Sequence, residues 1–202
     1  VPAAAAATAT ATQAVDDAAG ASFDGTKWGT FHSKRFELSL ALPDGAAWKI
    51  DDHGSHWLRA DHRPSHSTIW LRTWGEDPIV TRKDCYARAR EWNPKLPDLE
   101  TAELIDDRMR RLGPYDARVA AGVGASDRSS PAERGFVVAV VGELRRCMVV
   151  VYETEAVGQA APMVIADRLA FVSDRVLPRV QLDPSLAPPR QPLRGGGGSK
   201  DR

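Results

Sequence analysis

The 202-residue chain contains no run of 18 apolar residues, so its sequence offers no membrane-crossing helix. It lacks an excess of either charge: 27 Lys and Arg balance 27 Asp and Glu, which argues against a dedicated nucleic-acid binder. Cysteine is scarce. Two residues, Cys85 and Cys147, are too few for a disulfide-dense scaffold, and no C-x-x-C pair occurs. The G-x-S-x-G elbow, the phosphate-binding P-loop and the zinc motif H-E-x-x-H are absent as well. Gly122-Val123-Gly124 lacks the third glycine of a dinucleotide fingerprint. No template therefore nominates a catalytic residue, and no cofactor is expected. What is present is ordinary globular material, 43% hydrophobic, long enough to bury roughly 70% of its unfolded surface without a metal or a disulfide.

The ends differ from the middle in composition. Residues 1–22 are half alanine, with an alternating Ala-Thr stretch and no apolar stripe to dock a helix. They lack the basic start and apolar segment of a signal peptide and read as a stretch left behind after one has been removed. At the other end, four prolines from Pro184 to Pro192 precede Gly195–Gly198 and Ser199, a linker-like string set aside from functional reasoning. The expected organisation is a tether over residues 1–26, one domain over 27–181 and a Pro/Gly-rich tail over 182–202.

Within the domain, Phe36, Leu38, Leu40 and Leu42 alternate with smaller or polar residues, the period of a half-buried strand. Pro43-Asp44-Gly45 turns the chain, and short strands come next at Trp48–Ile50, Trp57–His62 and Thr68–Trp74. Thr81 with Asp84 predicts a capped helix, and Val80 with Cys85 a hydrophobic staple. Cys85, Ala89 and Trp92 share one face of that helix, and Asn93-Pro94 ends it. The segment 99–112 is ambiguous, because Ile105, Met109 and Leu112 suit a helix. Asp116–Val123 alternates as a strand, and Gly124–Arg134 reads as a polar loop. Phe136–Val141 and Arg146–Thr154 are continuously apolar and β-branched, which predicts central strands buried on both faces and joined at Gly142-Glu143. A last helix over residues 159–177 carries the stripe Ile165, Leu169, Val172, Val176. The sum is an α+β fold: an antiparallel sheet of about six or seven strands packed with two main helices.

Three groups of residues compete for a role. A helix laid on a central strand would bring Cys85 and Cys147 within bridging distance, and the even count favours a disulfide and an oxidising compartment. Two separate buried thiols are the alternative. His53, His56, His62 and His66 cluster with Asp51, Asp52 and Asp61, but the spacing allows at best pairs of imidazoles, so they are weak metal candidates and no metal is assigned. Six tryptophans are many for one domain. Trp70, Arg72 and Trp74 on one strand would form an aromatic–basic row fit for a carbohydrate, a peptide or a partner protein, whereas Trp48 and Trp92 are expected in the core. Asp106-Asp107 reads as solvated charge, and the basic Arg134, Arg145 and Arg146 are offset by Glu133 and Glu143.

The order of elements resembles the PsbP-like sandwich of small exported bacterial proteins. The resemblance rests on FHSKRFELSLALPDGAAWKI, on the hairpin GFVVAVVGELRRCMVVVYET and on the closing APMVIADRLAFVSDRVL, from about Phe31 to Val180. It favours an extended conformation for 99–112. It also implies a non-enzymatic binding or structural module of the cell envelope or periplasm, with a protein or envelope component as its partner. An intracellular accessory factor that binds a protein, and a metal-dependent enzyme using the histidine hairpin, are the alternatives. No family site residue carries over.

Overall fold

The computed structural model describes residues 23–124 and 132–182. Expectations placed on residues 1–22, 125–131 and 183–202 lie outside the described residues. Ten strands and two α-helices run in the order β1 (Trp28–Ser33), β2 (Leu38–Pro43), β3 (Trp48–Asp51), β4 (Leu58–His62), β5 (Ser67–Gly75), α1 (Arg82–Trp92), β6 (Glu103–Leu112), β7 (Tyr115–Val123), β8 (Ala132–Glu143), β9 (Arg146–Val157), α2 (Ala161–Phe171) and β10 (Gln181–Leu182). Seven strands form an antiparallel sheet in the order β3-β4-β5-β9-β8-β7-β6, and β1-β2-β10 form a second, small sheet. The fold is α+β, as the alternation of strand and helix patterns predicts.

The two central strands explain the layering. Along β9, Met148, Val150 and Tyr152 face one side, and Cys147, Val149 and Val151 the other; all six are buried. Such continuous burial requires cover on both faces. α2 and the small sheet cover the first face. α1 and the chain after it cover the second. The stripe Ile165, Leu169, Val172, Val176 is buried as expected, although the last two residues sit in a π-helical turn, Val172–Val176, rather than in α2 itself.

Several local readings need correction. Gly142 and Glu143 are not the hairpin turn: they pair with Cys147 and Arg146, and the chain turns at Leu144, whose φ is +54°. Gly142 serves another purpose, because a Cβ there would lie 2.6 Å from the backbone of Thr81 and Arg82 at the start of α1. The polar loop before β8 is shorter than expected, since Ala132–Arg134 already pair with Glu155–Val157. β1 and β10 went unread, because their partial burial leaves little alternation. Segment 103–112 is a strand: its helical spacing is incidental, and Ile105 and Met109 are more than half exposed. Phe23 packs against the rings of Trp48, His62, Tyr152 and Phe171.

Candidate binding face

α1 begins as its sequence dictates. Thr81 Oγ1 accepts from the Asp84 amide, and the Asp84 carboxylate accepts from the Thr81 amide and hydroxyl, a reciprocal cap. The segment before it is tied to the β8–β9 turn, with the Val80 amide on the Leu144 carbonyl and the Glu76 amide on the Arg145 carbonyl, each 2.8 Å. Cys85 and Ala89 then point at the sheet, and Cys85 is bonded to Cys147 across a Cα–Cα distance of 5.5 Å. Closing a loop of this length, with a sequence separation of 62, contributes about 4 kcal/mol in the chain-entropy model.

This docking carries Trp92, the last residue of α1, to the margin of the sheet. Trp92 is not a core residue: it is 40% exposed and meets Trp74 edge to face, with ring centres 5.0 Å apart. The helix buries Cys85 and Ala89, and by its third turn it has reached the border of the strands it covers. The outward row of β5 is Thr68, Trp70, Arg72, Trp74. The Arg72 guanidinium lies 3.5 Å from the centre of the Trp92 ring and 6.0 Å from that of Trp74. At the other end of the row Arg59, opposite Trp70 across β4 and β5, lies 4.9 Å over the Trp70 ring. Trp57 is buried under the same face. Four of the six tryptophans thus share one side of the sheet.

The charges of this face are unequally satisfied. Arg59 is held by Asp61 at 2.9 Å, the Trp70 indole donates to Glu153 at 3.1 Å, and the Trp74 indole to Glu76 at 3.0 Å. Arg72 makes no hydrogen bond or ion pair among the described residues; its partners are the two rings. Burial, and then the neighbouring charge of Arg35, hold its pKa below the ordinary arginine value. Burial pushes the Glu153 carboxyl above its usual range, against the opposing pull of Trp70 and Arg134. Trp74 lines a cavity of 710 Å³ at one end of β5, together with Arg35 and Arg145. Thr68 and Glu153 line a second, of 1050 Å³, at the other. Trp70, Arg72 and Trp74 were legible from period-two spacing alone. Arg59 and Trp92 were missed, because only pairing register and helix docking place them here.

The histidines do not converge. Among the described residues no three His, Cys, Asp or Glu side chains are placed to hold a metal ion. His53, His56 and His66 are exposed, and His53 lies 3.2 Å from Asp52. His62 is neither a solvated turn residue nor paired with another histidine. It is 2% exposed, with Nδ1 2.6 Å from Ser65 Oγ. Ser65 donates to Ser67 at 2.8 Å, and Ser67 Oγ lies 3.0 Å from both the Tyr152 hydroxyl and Thr154 Oγ1. Arg168, on α2, donates to Thr154 Oγ1 and to the Glu155 carbonyl, each at 3.0 Å. This chain of hydroxyls satisfies polar groups that the core would otherwise strand, and it ties β4, β5, β9 and α2 together. Phe23 and Trp48 close over His62, so the histidine–serine pair is sealed from solvent.

No family model matches the chain, and no curated protein does. Three solved structures have low-level likeness to it. CyanoP, the cyanobacterial PsbP of Synechocystis sp. PCC 6803, is 11% identical with a TM-score of 0.45, over 80% of this chain and 98% of that one. LpqN, described as involved in cell envelope biogenesis of Mycobacterium tuberculosis, is 14% identical with a TM-score of 0.44, over 78% and 91%. A protein of Bacteroides thetaiotaomicron VPI-5482 is 10% identical with a TM-score of 0.44, over 76% of this chain and 47% of that one, so the chain spans about half its length. The weak PsbP-like resemblance of the sequence has its counterpart in CyanoP. The fold assignment itself rests on the strands and helices described above.

Proposed function

We propose that the protein is an exported, non-enzymatic binding module whose working surface is the Trp70–Arg72–Trp74 row completed by Trp92. One observation carries this reading: Arg72 lies flat against Trp92 with no acceptor for its N–H groups among the described residues. A guanidinium held on an indole is pre-organised, its five donors fanned in a plane that suits a carboxylate. Tryptophan and arginine are also the side chains that dominate binding energy at protein interfaces. The partner of choice is a protein segment bearing an acidic side chain, with the carboxylate on Arg72 and its apolar neighbours against Trp74 and Trp92. The Cys85–Cys147 bond supports an oxidising, extracytoplasmic setting. The burial of the His62–Ser65 pair supports a structural rather than a catalytic use of those groups.

The test is calorimetric titration of the full chain with a glutamate-rich peptide, beside the Arg72→Ala and Arg72→Lys variants. Saturable binding that weakens at least tenfold in Arg72→Ala and is only partly retained in Arg72→Lys supports the reading. Binding of an oligogalacturonate but not of the peptide moves the site to acidic glycans and overturns the protein-partner assignment. No binding of either probe at millimolar concentration overturns the site.

A further inference from the structure

β6 (Glu103–Leu112) is one outer strand of the seven-stranded sheet, paired with β7 on one side alone. At ten residues it is long for an edge; the opposite edge, β3, has four. In an antiparallel pair about half the backbone donors and acceptors of an edge strand face away from its neighbour. A long edge of this kind is a template for another strand unless it is protected. Two of the few large apolar side chains left exposed, Ile105 and Met109, lie on it, at 56% and 53%. Ile105 sits at a bulge and has no partner residue in β7.

Protective edges carry charge that repels a copy of themselves. The charges here do the opposite. Glu103, Asp106 and Asp107 fill the first half of the strand, and Arg108, Arg110 and Arg111 the second. A second copy running antiparallel sets acidic half against basic half. With the two-fold axis at Asp107, Asp106 faces Arg108 of the second copy, Glu103 faces Arg111, and Ile105 faces Met109. The two exposed apolar residues then cover each other. One like-charged pair results, Asp107 with its own copy. Each of those carboxylates is already gripped by Arg118, at 2.9 and 2.8 Å, which holds its pKa below the usual carboxylate range.

We propose that β6 pairs antiparallel with β6 of a second copy of this chain, extending the sheet across a two-fold dimer. Opposite charges placed directly across paired strands favour the pairing, and like charges oppose it. The surface is separate from the Arg72 row on β5, so the two proposals stand or fall independently.

Sedimentation velocity of the full chain over a concentration series tests it, with two charge variants. One carries Arg108→Glu and Arg111→Glu; the other carries Glu103→Arg and Asp106→Arg. The side chains they replace lie on the exposed edge, and circular dichroism verifies folding. A concentration-dependent dimer in the parent, monomers for each variant alone and a heterodimer on mixing is the expected result. A parent that stays monomeric, a dimer that neither variant weakens, or variants that fail to combine would each overturn the proposal.

Discussion

Cys85 on the buried face of α1 is bonded to Cys147 in β9, and Cys147 in turn pairs across the sheet with Trp74. The bridge therefore fixes the helix that carries Trp92 to the strand beside the one that carries Trp74. Replacing both cysteines with alanine is expected to lower stability by about 4 kcal/mol on the loop-entropy account, read as a drop in the urea midpoint. The same variant should lose part of its affinity for the glutamate-rich peptide. Unchanged stability and affinity would mean that the bond does not hold α1 in place.

Gly142→Ala should destabilise the fold although the change adds one methyl group. The new Cβ would meet backbone, not a flexible side-chain end, at 2.6 Å. Overpacking of this type costs about 1–3 kcal/mol, and the loss should appear in chemical denaturation. Thr81→Ala, which removes the cap of the same helix, should cost about 1 kcal/mol. A neutral Gly142→Ala would show that α1 does not rest on β8 as closely as described.

Burial is the largest influence on His62 and holds its pKa below 6.5; Arg168 acts the same way, and Asp44 opposes them. The unfolded chain thus binds a proton at His62 that the folded protein resists. Stability from this group is complete above the unfolded value of about 6.5. It falls as pH drops below that and keeps falling until the lowered folded value is passed. The slope for one group is at most about 1.4 kcal/mol per pH unit. Urea midpoints measured between pH 8 and pH 5 should fall in the parent and flatten in His62→Gln. An equal slope in both would remove His62 as the source.

Trp92→Ala separates binding from stability. The ring is partly exposed, so its loss should cost about 1 kcal/mol or less. It should nonetheless release Arg72 from its stacking partner and abolish the near-ultraviolet signal of the Trp74–Trp92 pair. Peptide affinity should fall several-fold with the melting temperature little changed. If affinity and melting temperature fall together, Trp92 is a packing residue.

Much of this architecture was legible because burial leaves a period. The alternation of Leu38, Leu40 and Leu42, and the unbroken apolar runs of β8 and β9, record which faces are covered. The disulfide was legible from the inward face of α1 and the interior position of Cys147. Trp92 was misread because helical spacing defines a face, not the point at which the sheet below it ends. Gly142 was misread because a glycine beside a polar residue looks like a turn, and its real constraint comes from a helix 60 residues earlier in the chain. The His62 network was invisible for a similar reason: its members come from four separate elements, and hydroxyl residues carry no periodic signature of burial.

The seam between β5 and β9 pairs Ser67 with Thr154 and Gly75 with Arg146, nine residues against nine. It stitches a ribbon made early in synthesis to one made late. Neither ribbon can complete its hydrophobic cover before the other arrives, so a nascent or truncated chain ending before β9 carries a raw, unzipped margin along β5. Such a chain is a substrate for chaperones and proteases rather than a smaller working protein, and the molecule matures as a whole.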